Sequence, residues 1–518
     1  MKKMRKLGLI ALGSALGLPA VGYGAHEVLN DSPWTTAGVK EIRAAQELQR
    51  ATRERAKNVI LFVGDGMGIS TITAARILDG QQKGQPGEEN KLSFERFPHL
   101  SLVKTYSVNQ QTSDSAPTMT AIITGVKTKD GILSINENVV RGDHTTVAGN
   151  ELTTLLEIAE DKGLATGIVS TARITHATPG ATYAHSPERD WESDAELSTE
   201  AKAADFPDIA RQLIEFKHGD GLEVVLGGGR EYFLPNTVQD PEDVSAKGRR
   251  KDGRDLTAEW SARESSPFIW NKAQFDAIDP RSTSHLLGLF ERSHMEYEAD
   301  RAKDTSGEPS IAEMTAKAID VLKKSDKGFF LMVEGGRVDH AHHAGNARRA
   351  LEDAIALAAA VQVATDKTSE ADTQILVTAD HSHVFTIAGY PARGNDILGK
   401  VVTLDNKGDI AEGYALDANG KPYTTLSYAN GPGHRGGAER PDLTEVDTEA
   451  LDFLQEATVP MAAETHAGED VALYARGPSS HLLQGGHEQT ISFYLMAHAL
   501  GFDGLRKTSS WSRFSEWF

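Results

Sequence analysis

Three apolar segments of the chain are each followed directly, or after one residue, by a carboxylate or histidine side chain. The segments are VILFV (59–63), FFLMV (329–333) and QILVTA (374–379), and the residues that follow them are Asp65, Glu334, Asp380 and His381. Short apolar runs of this kind predict buried β-strands. In an open α/β sheet the carboxyl ends of the strands share one edge, where ligands bind. The pattern therefore predicts an α/β fold with a polar site at that edge.

The segment that ends in VDHAHH holds the densest set of candidate metal ligands. Asp339 and His343 are four residues apart, so they share one face if the segment is helical. A carboxylate and an imidazole on one face, beside the carboxylate of Glu334, are typical of a metal site. The alternative is a solvated, histidine-rich loop after a core strand.

Two further residues have a functional and an ordinary interpretation. Ser115 lies just before Ala116-Pro117, and proline favours a first helical turn, so Ser115 is predicted at a helix N-terminus, where an anion is stabilised. The alternative is a plain N-cap serine. Asp65 lies between glycines and is interpreted as an oxygen ligand for a metal ion. The alternative is a cap for a helix that starts near Ser70.

Composition limits the chemistry of such a site. The net charge of −20 makes nucleic acid an unfavourable partner, and an anionic substrate then needs a local positive site, which divalent cations can supply. The 518 residues include no cysteine, which excludes disulfides and thiolate ligands. Metal ligands must therefore be Asp, Glu, His, Ser or Thr.

The chain divides into four predicted parts. Residues 1–25 have a basic start and a short apolar run, which predict a cleaved signal peptide and a periplasmic or secreted protein; the alternative is an uncleaved anchor. Residues 26–57 are predicted as an N-terminal helical arm. Residues 384–463, rich in Gly, Asp and Asn, are predicted as an inserted subdomain. Residues 58–383 and 464–518 then form the α/β catalytic domain, and no later stretch is apolar enough to span a membrane.

Other elements are predicted within the catalytic domain. Strands are expected near 102–106, at 166–170 and within 223–230, a polar loop after 170, an amphipathic helix at 346–363 and a closing helix at 487–500.

The motifs, taken in order, resemble those of the alkaline phosphatases, and the animal-type members more closely than the shorter bacterial ones. The resemblance runs from about Asn58 to Leu500, and its densest motifs are NVILFVGDGMG, TSDSAPTMTAIITGVKT, THATP, DWESD, VVLGGGR, VEGGRVDHAHH, VTADHSHVF, NGPG and ETHAGEDV. It implies a doubly wound, mostly parallel sheet flanked by helices, with a crown-like subdomain at 384–463. It also implies a homodimeric phosphomonoesterase that acts on small phosphate monoesters, binds inorganic phosphate and forms a phosphoserine intermediate on Ser115.

The resemblance further implies two zinc ions and one magnesium ion. The implied ligands are Asp339, His343 and His466 for the first zinc ion, Asp65, Asp380, His381 and Ser115 for the second, and Asp65, Thr178 and Glu334 for magnesium.

Substrate-binding residues are implied in the same way. Arg189 matches the arginine that grips the phosphate, and Asp114 and His340 complete the substrate-binding set. His176 and His340 match histidines of the animal-type members, where some bacterial members have aspartate or lysine, and His176 would lie behind the metal ligands.

A fourth, calcium-like site of the animal-type members falls on Glu242, the carbonyl of Phe290, Glu291 and Glu308. The loop FERSHMEYEAD around it departs from the animal pattern. The alternative is a set of ordinary loop carboxylates.

Two other function classes fit parts of the pattern. A diesterase or sulfatase of the same superfamily would place a threonine, or a modified cysteine or serine in another motif, where this chain has Ser115. An exported metal- or phosphate-binding protein without catalysis would bind phosphate and release no product.

Overall fold

The computed structural model describes residues 32–48, 55–434 and 440–502. The predicted signal peptide at 1–25 lies outside the described residues. The strands are β1 (Asn58–Gly64), β2 (His99–Lys104), β3 (Ala165–Arg173), β4 (Val224–Gly228), β5 (Phe268–Ile269), β6 (Leu286–Leu289), β7 (Phe329–Gly335), β8 (Thr373–Ala379), β9 (Ser382–His383), β10 (Phe385–Ile387), β11 (Leu426–Gly431), β12 (Ala457–Pro460), β13 (His466–Ala467), β14 (Val471–Arg476) and β15 (Gly486–Glu488).

Helices connect most of the strands. They are α1 (Pro33–Leu48), α2 (Ile69–Gln82), α3 (Ser115–Thr124), α4 (Leu155–Asp161), α5 (Ala177–Tyr183), α6 (Thr199–Ala203), α7 (Ile209–Ile214), α8 (Leu256–Ser261), α9 (Lys272–Ala277), α10 (Ile311–Leu322), α11 (Arg337–His343), α12 (Ala347–Lys367) and α13 (Ile491–Ala499). Of the described helices, none is long and apolar enough to cross a bilayer.

Ten strands form the main sheet, in the order β15-β2-β14-β8-β1-β7-β3-β4-β6-β5. Neighbouring strands are parallel except at β14, which runs antiparallel to both β8 and β2. The helices form two groups against this sheet, one of α2, α10 and α12 and the other of α3, α4, α5 and α13. The predicted mostly parallel, helix-flanked α/β fold is confirmed.

The centre of the sheet places the three predicted strand ends side by side. Strands β7, β1 and β8 are neighbours, and every residue in each of them is buried. Parallel strands with helices on both faces have apolar side chains on both sides, which is why the sequence shows unbroken apolar runs there. Asp65, Glu334 and Asp380 therefore emerge at one edge.

Several element predictions need correction. Only the last part of 487–500 is helical, because residues around His487 form β15 beside β2. The segment after 170 is not only loop, since Thr178 lies in α5. A pairing partner far away in the chain, as for β15, leaves no local signal in the sequence.

Two small sheets lie outside the main one. Strands β10, β11 and β12 form a three-stranded sheet within 384–463, and β9 pairs with β13. The treatment of 384–463 as a separate subdomain, and the other domain boundaries, stay predictions.

Candidate metal centre and active site

Ser115 is the first residue of α3, and its hydroxyl faces the other candidate ligands. The N-cap of this helix is Asp114, whose carboxylate accepts a hydrogen bond from Ala116 N at 2.6 Å, so Ser115 is free of the capping role. Ser115 Oγ lies 3.1 Å from His381 Nε2 and 3.4 Å from Asp65 Oδ1. The helix N-terminus also favours negative charge on that oxygen.

Asp65 enters the site through a tight turn after β1. Helix α2 has Gly68 as its N-cap, so Asp65 does not cap that helix. Gly66 has a φ of +66°, and a Cβ added to it would lie 2.2 Å from His383 Nε2. A side chain at Gly66 would therefore collide with the site, and glycine also tolerates this backbone conformation.

The end of β8 supplies a second carboxylate and an imidazole. Asp380 Oδ1 accepts hydrogen bonds from Gly66 N at 3.0 Å and His381 N at 2.9 Å. Its other oxygen, Oδ2, lies 3.3 Å from His381 Nε2, and that nitrogen is also 3.4 Å from Asp65 Oδ1. One imidazole nitrogen thus faces two carboxylates and the Ser115 hydroxyl, a donor set suited to zinc.

A second group of ligands surrounds Asp339 on α11. Asp339 Oδ1 lies 3.2 Å from His343 Nε2 and 3.3 Å from His466 Nε2, and the two Nε2 atoms are 3.0 Å apart. His343 Nδ1 donates to the carbonyl of Glu464 at 2.6 Å, and His466 Nδ1 donates to the carbonyl of Ser113 at 2.8 Å.

Those two carbonyl contacts determine whether the Nε2 atoms of His343 and His466 act as donors or acceptors. Each ring uses its Nδ1 proton on a backbone oxygen, so in the neutral rings both Nε2 atoms are lone-pair acceptors that point at each other and at a carboxylate. Such an arrangement is repulsive by itself and favourable around a cation. Orientation of a ligating histidine through its other nitrogen is common in zinc sites.

His383 and Glu464 belong to the site but are absent from the predicted residues. His383 Nε2 lies 2.9 Å from Asp339 Oδ1, and its Nδ1 lies 2.6 Å from Glu464 Oε2. Burial opposes a charge on His383, but its hydrogen bonds to Asp339 and Glu464 raise its pKa to about 9. The motif DHSH contained the signal, since His383 is two residues from His381 on the same side of an extended chain.

Oxygen atoms gather on the other side of Asp65. Ligand atoms of Asp65, Glu334 and His176 lie within 4.8 Å of one another, and the Thr178 hydroxyl lies beside Glu334. Asp65 Oδ2, Glu334 Oε1 and Thr178 Oγ1 are buried without a hydrogen-bond partner among the described residues. Unpaired buried oxygens are costly, and oxygen donors are the ligands that magnesium prefers.

The carboxylates of the site repel one another strongly. Burial, followed by repulsion from Asp339 and Asp380, raises the pKa of Asp65 well above its ordinary value. Burial and Asp380 raise the pKa of Glu334 to about 8, although Ser170 donates to it. Burial would also raise the pKa of Asp339, but without a metal ion the charge of a protonated His343 and hydrogen bonds from neighbouring histidines hold that pKa well below its ordinary value. Bound cations would relieve this repulsion.

Arg189 is held at the rim of the cluster by two contacts. Its Nη1 donates to Asp114 Oδ1 at 3.3 Å, and its Nη2 lies 3.1 Å from His176 Nε2. Burial, and then the charge of Arg189, lower the pKa of His176 well below its ordinary value, so that ring is neutral and accepts. The guanidinium is therefore oriented by its neighbours, and hydrogens remain on both terminal nitrogens for a phosphate.

His340 lies beside two other histidines. Its ring centroid is 5.5 Å from that of His176 and 4.0 Å from that of His294. His340 Nδ1 is 3.3 Å from Arg337 Nη1, and His294 contacts the Arg173 guanidinium. His294 was not predicted as a site residue, because its loop, FERSHMEYEAD, departs from the animal-type pattern.

Two of the predicted calcium residues, Glu242 and Glu291, help to line a separate cavity of about 580 Å³. Burial and repulsion from Glu242 raise the pKa of Glu291 to about 8, and burial and Glu291 raise that of Glu308 to about 9. Arg230 donates to Glu242 at 2.8 Å and already gives this carboxylate a counter-charge. Phe290 lies on the same chain segment and donates its N–H to the carbonyl of Gly227.

Residues 56–502 match the profile of the alkaline phosphatase family. The chain belongs to this family. It is 44% identical over 474 residues to the tissue-nonspecific alkaline phosphatase of Homo sapiens, covering 90% of this chain and 88% of that protein. It is 43% identical to the alkaline phosphatase of Gadus morhua, covering 90% and 96%. The crystal structure of Thermus thermophilus alkaline phosphatase is 25% identical, with a TM-score of 0.62 and coverage of 93% and 97%.

These similarities confirm the predicted family and enzyme class. Identities of 43% and 44% to two animal alkaline phosphatases agree with the animal-type motifs noted in the sequence. The chain is thus an enzyme of the alkaline phosphatase family, whose substrates are phosphate monoesters and whose members use metal cofactors.

Proposed function

We propose that this alkaline phosphatase hydrolyses phosphate monoesters through a phosphoserine on Ser115, in a site that holds two zinc ions and one magnesium ion. The observation that carries the proposal is the position of Ser115 Oγ, at a helix N-terminus and within 3.4 Å of both Asp65 and His381. The competing diesterase, sulfatase and non-catalytic interpretations gain no support from this arrangement.

The side chains divide into three sets that fit these ions. The sets are Asp339, His343 and His466 for one zinc ion, Asp380, His381, Asp65 and Ser115 for the other, and Asp65, Glu334 and Thr178 for magnesium. The donor types fit, with imidazole and carboxylate for zinc and oxygen alone for magnesium. When bound, the ions would favour the ionised form of a hydroxyl and stabilise the charge that develops on phosphate oxygens.

The chain's own residues then account for two displacement steps. The Ser115 oxygen, after losing its proton, attacks phosphorus, and the phosphorus–oxygen bond to the alcohol breaks as the alcohol takes up a proton. Water then attacks the phosphoserine, giving one proton to Ser115 and releasing inorganic phosphate. Arg189, oriented by Asp114, binds two phosphate oxygens throughout and keeps the phosphorus in line with Ser115. His340 contacts the bound phosphate from the α11 side.

Three further features belong to this proposal. The protein is exported to the periplasm or secreted, as the first 25 residues suggest, and works as a homodimer. Its partners are small phosphate monoesters and inorganic phosphate. A calcium ion binds Glu242, Glu291, Glu308 and the Phe290 carbonyl, which is supported by the repulsion between Glu242 and Glu291 and between Glu291 and the buried Glu308.

Replacement of the nucleophile tests the mechanism. Ser115→Ala should lower kcat for an aryl phosphate by about three orders of magnitude or more, because removal of a covalent nucleophile commonly has effects of that size. Ser480→Ala is the matched control, since Ser480 is also buried and comes two residues after Pro478, whose carbonyl bonds Gln374 at the amino end of β8, opposite the site.

Metal content should be measured on the same samples by elemental analysis. We expect two zinc ions and one magnesium ion per wild-type chain, and loss of activity after chelation. Full activity of Ser115→Ala would refute the serine mechanism, and tight phosphate binding without turnover by the metal-loaded wild type would favour a non-catalytic binding protein.

A further inference from the structure

The C-terminal end of helix α11 carries the proposed zinc ligand His343. This end lies away from β7, the strand that fixes the start of the helix. Strand β7 ends at Gly335 and α11 begins at Arg337, so the start of this helix is fixed by the sheet. His343 is the last residue of the helix, after which the chain turns at Gly345, with a φ of +70°, into α12. The last carbonyls of a helix have no partner within the helix and must be satisfied from outside.

The turn at 344–346 bonds the carbonyls of His340, Ala341 and His342, and residues 451–464, at the end of the predicted insertion and just after it, bond the carbonyl of His343 and the turn itself. Glu464 N donates to the carbonyl of His343 at 2.9 Å, and Gln455 N donates to the carbonyl of Gly345 at 2.9 Å. Gln455 Oε1 also accepts from Ala347 N, the first residue of α12, at 2.6 Å. Gln455 is only 1% exposed, so these bonds are made away from water.

Two other bonds hold the same turn. Asn346 caps α12 and donates through Nδ2 to the carbonyl of Leu451 at 2.7 Å. His342, next to His343, is fully buried, with its Nδ1 2.8 Å from the Tyr428 hydroxyl on β11 and its Nε2 2.9 Å from the Thr71 hydroxyl on α2. The hydroxyl of Tyr428 thus connects the small three-stranded sheet to the helix of the proposed zinc ligands.

We propose that Gln455 and Tyr428 are positioning residues that hold the C-terminal end of α11, so that the insertion at 384–463 sets how firmly His343 retains its zinc ion. The inference rests on the proposed zinc site. Neither side chain is among the proposed ligands. The Gln455 side chain acts through Ala347 and the turn that joins α12 to α11, and Tyr428 acts through His342. A displacement of the last turn of α11 would move His343 away from Asp339 and His466.

The test is the rate of zinc loss from the metal-loaded enzyme to a chromogenic chelator. Gln455→Ala and Tyr428→Phe should each release one zinc ion about tenfold faster than the wild type, the lower end of the range for residues that support metal ligands. Activity lost during the assay should return on addition of excess Zn²⁺, which a change in the chemical step would not allow. Tyr428→Phe removes a single oxygen and keeps the test informative should Gln455→Ala fail to fold.

Matched controls separate this effect from general destabilisation. Gln374 is fully buried and donates to the carbonyl of Pro478 at the amino end of β8, on the edge opposite Asp380. The Tyr494 hydroxyl donates to the carbonyl of Gly125 at 3.1 Å and is also buried. Gln374→Ala and Tyr494→Phe lose comparable bonds and should release zinc at the wild-type rate.

Two results would overturn the inference, and they are distinguishable. Release from Gln455→Ala and Tyr428→Phe at the rate of the two controls would show that the insertion does not support the zinc site. A wild type that binds no zinc would instead refute the proposed metal centre, and this inference with it.

Discussion

The contribution of Arg189 to phosphate binding can be predicted from the contacts that its guanidinium makes. One hydrogen on Nη1 is used on Asp114 and one on Nη2 is directed to His176. Each terminal nitrogen therefore keeps one hydrogen for a phosphate oxygen. Hydrogen bonds to a charged group contribute about 1.5–3 kcal/mol each, so two of them supply about 4 kcal/mol.

The two substitutions at this position should therefore differ. Arg189→Ala loses both bonds and should lower kcat/KM about a thousandfold, since about 1.4 kcal/mol corresponds to a factor of ten. Arg189→Lys keeps the charge and one bond, and should lose about 2 kcal/mol, or roughly 30-fold. The inhibition constant of inorganic phosphate should rise in the same order.

The assay is steady-state hydrolysis of an aryl phosphate with phosphate as a competing inhibitor. Arg211→Lys is the control, because Arg211 pairs with Asp205 and Glu215 at the surface and is unrelated to the site. Equal activity of Arg189→Lys and the wild type, or equal loss in both Arg189 variants, would refute the bidentate grip.

Two predictions concern carboxylates outside the catalytic cluster. Burial raises the pKa of Glu160 to about 7, and burial with repulsion from Glu160 raises that of Glu223 to about 8. Since the unfolded chain loses these protons near pH 4.3, the free energy of unfolding should fall as pH rises from about 4.3 to about 8. Glu223→Gln should therefore reduce the drop in melting temperature between pH 5 and 9. An unchanged drop would contradict the raised pKa of Glu223. Calcium should raise the melting temperature of the wild type but not that of Glu291→Gln, and an equal rise in both would exclude the calcium site.

Some of the site could be predicted from local sequence. Asp65, Glu334 and Asp380 follow apolar runs, and the neighbouring order of β7, β1 and β8 brings them to one edge. The spacing of Asp339 and His343 likewise predicted one helical face. These features depend on strand and helix periodicity, which a single sequence contains.

Other residues could not be placed by such reasoning. His466 and Arg189 were assigned only by resemblance to a family, because nothing near them in the chain indicates a ligand or an anion site. The motif DHSH hinted at His383, but its part in the site depends on the pairing of β9 with β13, where it lies opposite His466 across more than 80 residues of chain. Contacts of this kind are set by tertiary packing and leave little trace in local sequence.

The net charge of −20 opposes the binding of an anionic substrate, so the charge of the site must be considered by itself. Histidines provide a counter-charge for Asp339, but the carboxylates of Asp65, Glu334 and Asp380 are buried together beside it. Burial of several ionised groups without counter-charge costs far more than a protein's net stability. Either protons or cations must neutralise them. Protons would remove the carboxylate charge and add no attraction for phosphate, whereas divalent cations exceed that charge locally and attract it. The acidic cluster therefore suits an anion-binding site only with its metal ions bound, which is why chelation should abolish phosphate binding as well as turnover.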